Sequence, residues 1–92
     1  MDGRQNLNSM TIKQVSEYLD DLLGDAKMCC MDTTAMLYLD DDTSIEVSYD
    51  SDYDCFYWSN GVSGYDSLSD VIDSVVGYLI DHGLNVKDVD EV

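Results

Sequence analysis

The middle of the chain decides the fold, because residues 34–59 read TAMLYLDDDTSIEVSYDSDYDCFYWS. Apolar and polar side chains alternate strictly between Ser44 and Tyr49, which is typical of a strand with one buried face. Asp-rich runs flank this stretch on both sides and favour turns. We therefore predict three strands, over 34–39, 44–49 and 53–59. Connections this short allow only an antiparallel meander.

A helix is predicted before the strands. Thr11 and Gln14 have the spacing of a capping box, and apolar residues follow at helical intervals. Gly24 is a typical residue just beyond a helix end, so the helix is predicted over 12–23. Residues 26–32 fit either a strand or a linking turn, and the pattern leaves both open.

A second helix is predicted after the strands. A wide apolar stripe covers residues 68–80, with Ser67 as its N-cap and Gly83 as its stop. Gly77 inside the stripe weakens the helix, so we expect it where the helix packs closely on a strand. Apolar residues between 84 and 89 indicate a short final segment that docks on the domain.

The element order α-β-β-β-α predicts an α+β fold with two layers, a three-stranded antiparallel meander packed against two helices. We predict a flexible leader over 1–10 and a single domain over 11–92. Strand three carries Tyr53 and Tyr57 on one face and Phe56 and Trp58 on the other. One set must be covered by something other than the helices, and an exposed face with Phe56 and Trp58 would allow a homodimer.

The charge of the chain excludes several classes of partner. The 92 residues contain 20 Asp and Glu against 4 Lys and Arg, a net charge of −16, with 45% hydrophobic residues. Such a surface repels phosphates and anionic lipids, so we expect no direct binding to nucleic acid or membranes. No apolar run is long enough to cross a bilayer, and the start, MDGRQNLNSM, has no apolar signal region. Three cysteines, two of them adjacent, indicate reduced thiols and a cytoplasmic location.

No constellation of catalytic residues is present in the sequence. The single histidine, His82, falls at the end of the second helix, where it complements the helix dipole. The cysteines lack metal-binding spacing, and we expect each to be a small buried residue. Asp40 and Asp50 begin segments like calcium loops, but the required glycine and glutamate are missing. We predict no enzyme activity, no bound metal and no cofactor, with weak cation binding as a third option.

The excess of acidic residues indicates that the charge serves the function of the protein, because a small domain needs a net charge of only about 2–8 for solubility and this chain has −16. The acidic turns lie at opposite ends of the middle strand, roughly 20 Å apart. Carboxylates held on such a frame would imitate the phosphates of a duplex and occupy a basic, nucleic-acid-binding protein. The candidate partner-binding residues are Asp40, Asp41, Asp42, Glu46, Asp50, Asp52, Tyr53 and Asp54. The alternative is an acidic structural or regulatory domain whose charge reflects a salt-rich host.

Between Thr11 and Gly83 the chain resembles small acidic phage and prophage inhibitors, above all anti-CRISPR proteins, in size, charge and element order. That resemblance implies a DNA mimic that blocks the DNA-binding face of a CRISPR nuclease in the cytoplasm of the host cell. No sequence motif is shared, so the resemblance assigns no binding residue. The chain is equally similar to acidic immunity proteins that neutralise basic nuclease toxins.

Overall fold

The computed structural model describes residues 10–59 and 64–92, which form two helices and a four-stranded sheet. In chain order the elements are α1 (Ile12–Cys29), β1 (Thr33–Leu39), β2 (Ser44–Asp50), β3 (Cys55–Trp58), α2 (Leu68–His82) and β4 (Val86–Glu91). The α+β class is confirmed. The predicted leader, apart from Met10, and the predicted Asn60-Gly61 turn lie outside the described residues.

The sheet order is β3-β2-β1-β4, and every neighbouring pair is antiparallel. The first three strands form the predicted meander. The fourth strand was expected only as a docked final segment. It pairs with β1, with Leu37 opposite Val89 and Leu39 opposite Val86. The alternation in this segment is weak because the register shifts by a bulge between Tyr38 and Leu39.

Helix α1 is six residues longer than predicted. It begins with the predicted capping box, in which the Thr11 hydroxyl accepts from the Gln14 amide at 3.1 Å and the Gln14 side chain accepts from the Thr11 amide at 2.9 Å. The prediction that Gly24 ends the helix is wrong, since the chain continues helically to Cys30, which adopts the left-handed cap conformation with φ of 55°. Residues 26–32 are therefore helix end and turn, not strand.

Helix α2 has the predicted bounds and ends at Gly83, whose φ of 64° is the left-handed conformation that glycine adopts most readily. The Ser67 side chain makes no capping hydrogen bond to the helix. The expected close approach at Gly77 is wrong, because a Cβ at that position would meet nothing within 4 Å among the described atoms. His82 is the last helical residue and lies against Tyr78, with 4.3 Å between ring centroids.

The core lies between the sheet and the two helices. Phe56 is fully buried and Trp58 is 6% exposed, and the Trp58 indole donates to Ser74 Oγ of α2 at 3.1 Å. The prediction of an exposed Phe56 and Trp58 face is therefore wrong, and these residues are not available to pair two copies. Tyr57, on the opposite face, is 44% exposed. Tyr53 was predicted on the same face of this strand, but β3 begins only at Cys55, so Tyr53 lies in the preceding turn and is 81% exposed. Both helices pack on the sheet face that carries Phe56 and Trp58, and the opposite face, with Tyr57, stays open.

One edge of the sheet is formed by β4. The Val92 amide donates to the Thr34 carbonyl of β1, so by alternation the Val89 and Glu91 amides point away from β1. Each of these two amides donates instead to the preceding aspartate, Val89 to Asp88 and Glu91 to Asp90, both at 2.9 Å. These two outward donors are therefore satisfied by the strand's own carboxylates, and at the start of β4 the Val86 carbonyl accepts from the Met10 amide at 2.7 Å.

Candidate partner-binding surface

The face of the sheet that the helices leave open carries acidic and polar side chains together with Met36, Tyr38 and Tyr57. Glu46 on β2 and Asp90 on β4 both stand opposite Met36 of β1, so two strand spacings, roughly 10 Å, separate them. Asp88 lies in the next row, opposite Tyr38. We call this face, together with the turns at its two ends, the acidic sheet face. Its acidic residues are Asp32, Asp40, Asp41, Asp42, Glu46, Asp50, Asp52, Asp88 and Asp90.

The β1–β2 turn presents three consecutive aspartates with different surroundings. Asp40 accepts from the backbone and side-chain amides of Asn85 at 3.2 and 3.0 Å, and these bonds lower the pKa of the Asp40 carboxyl. Asp41 accepts from the Thr43 amide and hydroxyl, at 3.1 and 2.5 Å. Asp42 has a φ of 68° and pairs with Lys87 at 3.3 Å. Local bonds fix the turn while its carboxylates stay exposed.

The β2–β3 turn lies at the other end of β2, seven residues away along the strand. The Asp50 side chain accepts from the Asp52 amide at 2.9 Å, which folds the turn. Asp32, from the turn after α1, accepts from the Ser51 amide and hydroxyl at 2.8 Å each, and these bonds lower the pKa of Asp32. A depression of about 270 Å³ is formed there, lined by Asp32, Thr33, Thr34, Ser48, Tyr49, Asp50, Asp52, Tyr57 and Val92.

Asp54 does not belong to the acidic sheet face. Its φ is 51°, and its carboxylate accepts from the Tyr49 hydroxyl at 2.7 Å and pairs with Lys27 of α1 at 3.4 Å. The Tyr49 bond and the Lys27 charge lower the pKa of Asp54, while the same hydrogen bond raises the pKa of Tyr49 to about 12. Tyr49 belongs to the buried row of β2, so Asp54 holds the turn to the core and the helix. The Asp54 carboxylate is thus engaged within the fold, unlike the carboxylates of the acidic sheet face.

The other predicted site residues are exposed or half-buried. Glu46 and Asp50 lie on β2, and Asp40–Asp42, Asp52 and Tyr53 lie in the turns at its two ends. Within the first turn, Asp41 faces the helix side, where it lines a depression with Trp58 and Tyr78. Among residues 10–59 and 64–92 no charged side chain is buried. Of the three lysines in those ranges, Lys27 and Lys87 are paired with aspartates.

Acids also cover the helices, so negative charge is not confined to the sheet. The exposed acidic residues of the two helices are Glu17, Asp20, Asp21, Asp25, Asp70, Asp73 and Asp81. The sheet differs because its backbone fixes the positions of Glu46 and Asp90 on either side of β1, and the hydrogen-bonded turns at both ends of β2 add further carboxylates. This fixed arrangement distinguishes the sheet as the candidate site.

Sequence reasoning missed Asp32, Asp88 and Asp90 as members of the surface. Asp32 precedes β1 and comes beside Asp50 only through its bonds to Ser51. Asp88 and Asp90 belong to the final segment, which the sequence predicts only to dock on the domain. Their spacing of two residues, with Val89 between them, is a weak strand signal that could have indicated one shared face. The cysteine expectation was also wrong, since Cys29 and Cys30 are exposed and Cys55 is partly exposed.

Comparison with protein-family models, with curated proteins and with solved structures gives no match to this chain. Neither helix of the described ranges combines the length and the apolar character needed to cross a membrane. Within those same ranges, no three His, Cys, Asp or Glu side chains are arranged to hold a metal ion.

Proposed function

We propose that this protein is a non-enzymatic inhibitor that places its acidic sheet face in the basic nucleic-acid-binding surface of a partner protein. The observation that carries the proposal is the arrangement of carboxylates around one open sheet face, in the turns at both ends of β2 and at Glu46 and Asp90, which lie on either side of β1. The class of partner is one that uses Lys and Arg to grip nucleic acid, with a CRISPR nuclease as the leading example.

The energetics of such a complex follow from the spacing of the charges. Seven residues of β2 span roughly 20 Å, a length over which duplex DNA carries about 12 phosphates. A basic cleft that closes on this face releases its counterions as it would on DNA. Sheet and turns hold the carboxylates in place before binding, so little side-chain entropy is lost on association.

The proposal is tested by DNA cleavage with a panel of guide-loaded type II CRISPR nucleases and basic nuclease toxins. The protein is added at micromolar concentration in 0.1 M salt, and binding to any inhibited nuclease is then measured across salt concentrations. We expect at least one nuclease to lose DNA binding and cleavage, with affinity that falls steeply as salt rises.

A matched pair of variants locates the binding surface. Glu46→Gln, Asp52→Asn and Asp90→Asn together neutralise three sheet-face charges, and amide side chains keep the shape and an acceptor oxygen. Asp21→Asn, Asp73→Asn and Asp81→Asn change the net charge equally on the helices. We expect the first triple variant to bind about tenfold to a hundredfold more weakly, with a shallower salt dependence. Equal losses in the two variants, or no inhibition anywhere in the panel, would contradict the proposal.

A further inference from the structure

Three exposed apolar side chains belong to two segments that meet at one end of the sheet, and Tyr57 lines the depression there, whereas Ile12 and Ile80 are exposed elsewhere. Met28 is 84% exposed, Met31 63% and Tyr53 81%, and Tyr57 is nearly half-exposed beside the depression. Met28 and Met31 lie where α1 ends, while Tyr53 and Tyr57 lie where β3 begins. We call these four residues the apolar corner. Single exposed apolar residues are common on protein surfaces, but a group gathered beside a carboxylate-lined depression is characteristic of a binding site.

Two contacts hold the halves of the apolar corner together. Asp32, next to Met31, accepts both bonds from Ser51 of the β2–β3 turn. Lys27, next to Met28, reaches Asp54, next to Tyr53, at 3.4 Å. Met28, Met31 and Tyr53 are therefore each adjacent in the chain to a residue that is anchored across the junction, and Tyr57 is held within β3. The corner has a defined position relative to the sheet.

The surroundings of the apolar corner specify what it can bind. The depression beside it is lined by the carboxylates of Asp32, Asp50 and Asp52, and the ring of Tyr57 forms part of its wall. A cationic side chain satisfies those carboxylates, and a guanidinium also stacks on an aromatic ring. A second copy of this chain would bring its own charge of −16 to the contact, and an anionic lipid surface would be repelled in the same way.

We infer that the apolar corner and its depression bind a protein segment in which an arginine is flanked by an apolar side chain, on the basic partner of the acidic sheet face. This inference rests on the proposed function, and it adds to the binding an apolar contact whose contribution to the affinity does not depend on salt. The arginine enters the depression, and the apolar neighbour packs on Met31 and Tyr53. Methionine adapts to the shape of such a neighbour, and tyrosine supplies contact area with little loss of rotamer freedom.

The test uses the nuclease that the cleavage panel identifies. Met31→Ser with Tyr53→Ser removes the apolar contact at unchanged charge, and Ile80→Ser, at a 62% exposed site on α2, is the control for an apolar residue lost elsewhere. We expect the corner variant to bind at least about 30-fold more weakly at both 0.1 M and 0.5 M salt, and the control to bind within twofold of the original protein. Unchanged melting temperatures establish that all three proteins are folded.

The outcomes separate the two proposals. Binding of the corner variant within twofold of the original protein, while the neutralised sheet-face variant loses affinity, overturns the inference and leaves the proposed function standing. A free protein that sediments as a dimer, and that Met31→Ser with Tyr53→Ser converts to a monomer, also overturns the inference, because the corner would then bind a second copy. A panel without any inhibited nuclease removes both proposals together.

Discussion

The replacement of Gly24 by alanine tests the unexpected extension of α1. A helix-interior glycine costs roughly 0.5–1 kcal/mol relative to alanine, because the unfolded glycine chain has more conformations to lose. An added Cβ at Gly24 would meet Leu68 Cδ2 of α2 at 3.7 Å, an ordinary van der Waals contact. We therefore expect Gly24→Ala to stabilise the fold by about 0.5–1 kcal/mol. For a domain of this size that corresponds to a rise in melting temperature of roughly 2–8 °C.

Thermal unfolding followed by circular dichroism measures this change in melting temperature. Alanine variants of two other glycines serve as controls with opposite expected signs. Gly77→Ala, also inside a helix and with open space around it, is expected to stabilise by a similar amount. Gly83→Ala is expected to destabilise by about 1–2 kcal/mol, because φ of 64° is unfavourable for a residue with a Cβ. A Gly24→Ala protein that melts lower, as Gly83→Ala should, would mean that α1 ends at residue 24 and would refute the reasoning.

Two other predictions concern the core and the Tyr49–Asp54 hydrogen bond. Phe56→Ala should lower the free energy of unfolding in urea by about 3–5 kcal/mol, because the ring is fully buried. Tyr57→Ala, on the open face, should lower it by less than about 1 kcal/mol. Equal losses in the two variants would contradict the assignment of these residues to opposite sheet faces. In a spectrophotometric titration, Tyr49 should ionise near pH 12, and Asp54→Asn should bring it back toward 10. Because folding raises the pKa of Tyr49, the stability that the Tyr49–Asp54 hydrogen bond contributes is fully present below pH 10 and is lost as the pH rises through 12. A Tyr49 titration without this shift would show that the hydrogen bond is absent in solution.

The parts of the fold that follow from local pattern could be predicted from the sequence. Ile45, Val47 and Tyr49 alternate with polar residues, and this period of two fixes both the strand and its buried face. The capping box of Thr11 and Gln14 fixes the start of α1 in the same local way. The types and order of the first five elements therefore depended on nearby residues and were recovered.

Features that depend on tertiary contacts could not be predicted in this way. Gly24 carries a stop signal, but packing of α1 on β1 and α2 outweighs a helix penalty of about 1 kcal/mol. Strand β4 exists because β1 has a free edge, which its own sequence does not reveal. The site shows the same division, since Asp40–Asp42 and Asp50–Asp52 were found from clustering, whereas Asp32 joins them only through Ser51.

The aspartates that bond the outward amides of β4 affect how this protein meets other molecules. An open sheet edge normally offers donors to any passing extended chain and so favours fibres and swapped dimers. On β4 those donors are engaged by Asp88 and Asp90, and an incoming strand would also have to displace two negative charges. These bonds therefore disfavour edge-to-edge polymerisation through β4, and they favour recognition through side chains on the flat of the sheet over added backbone pairing.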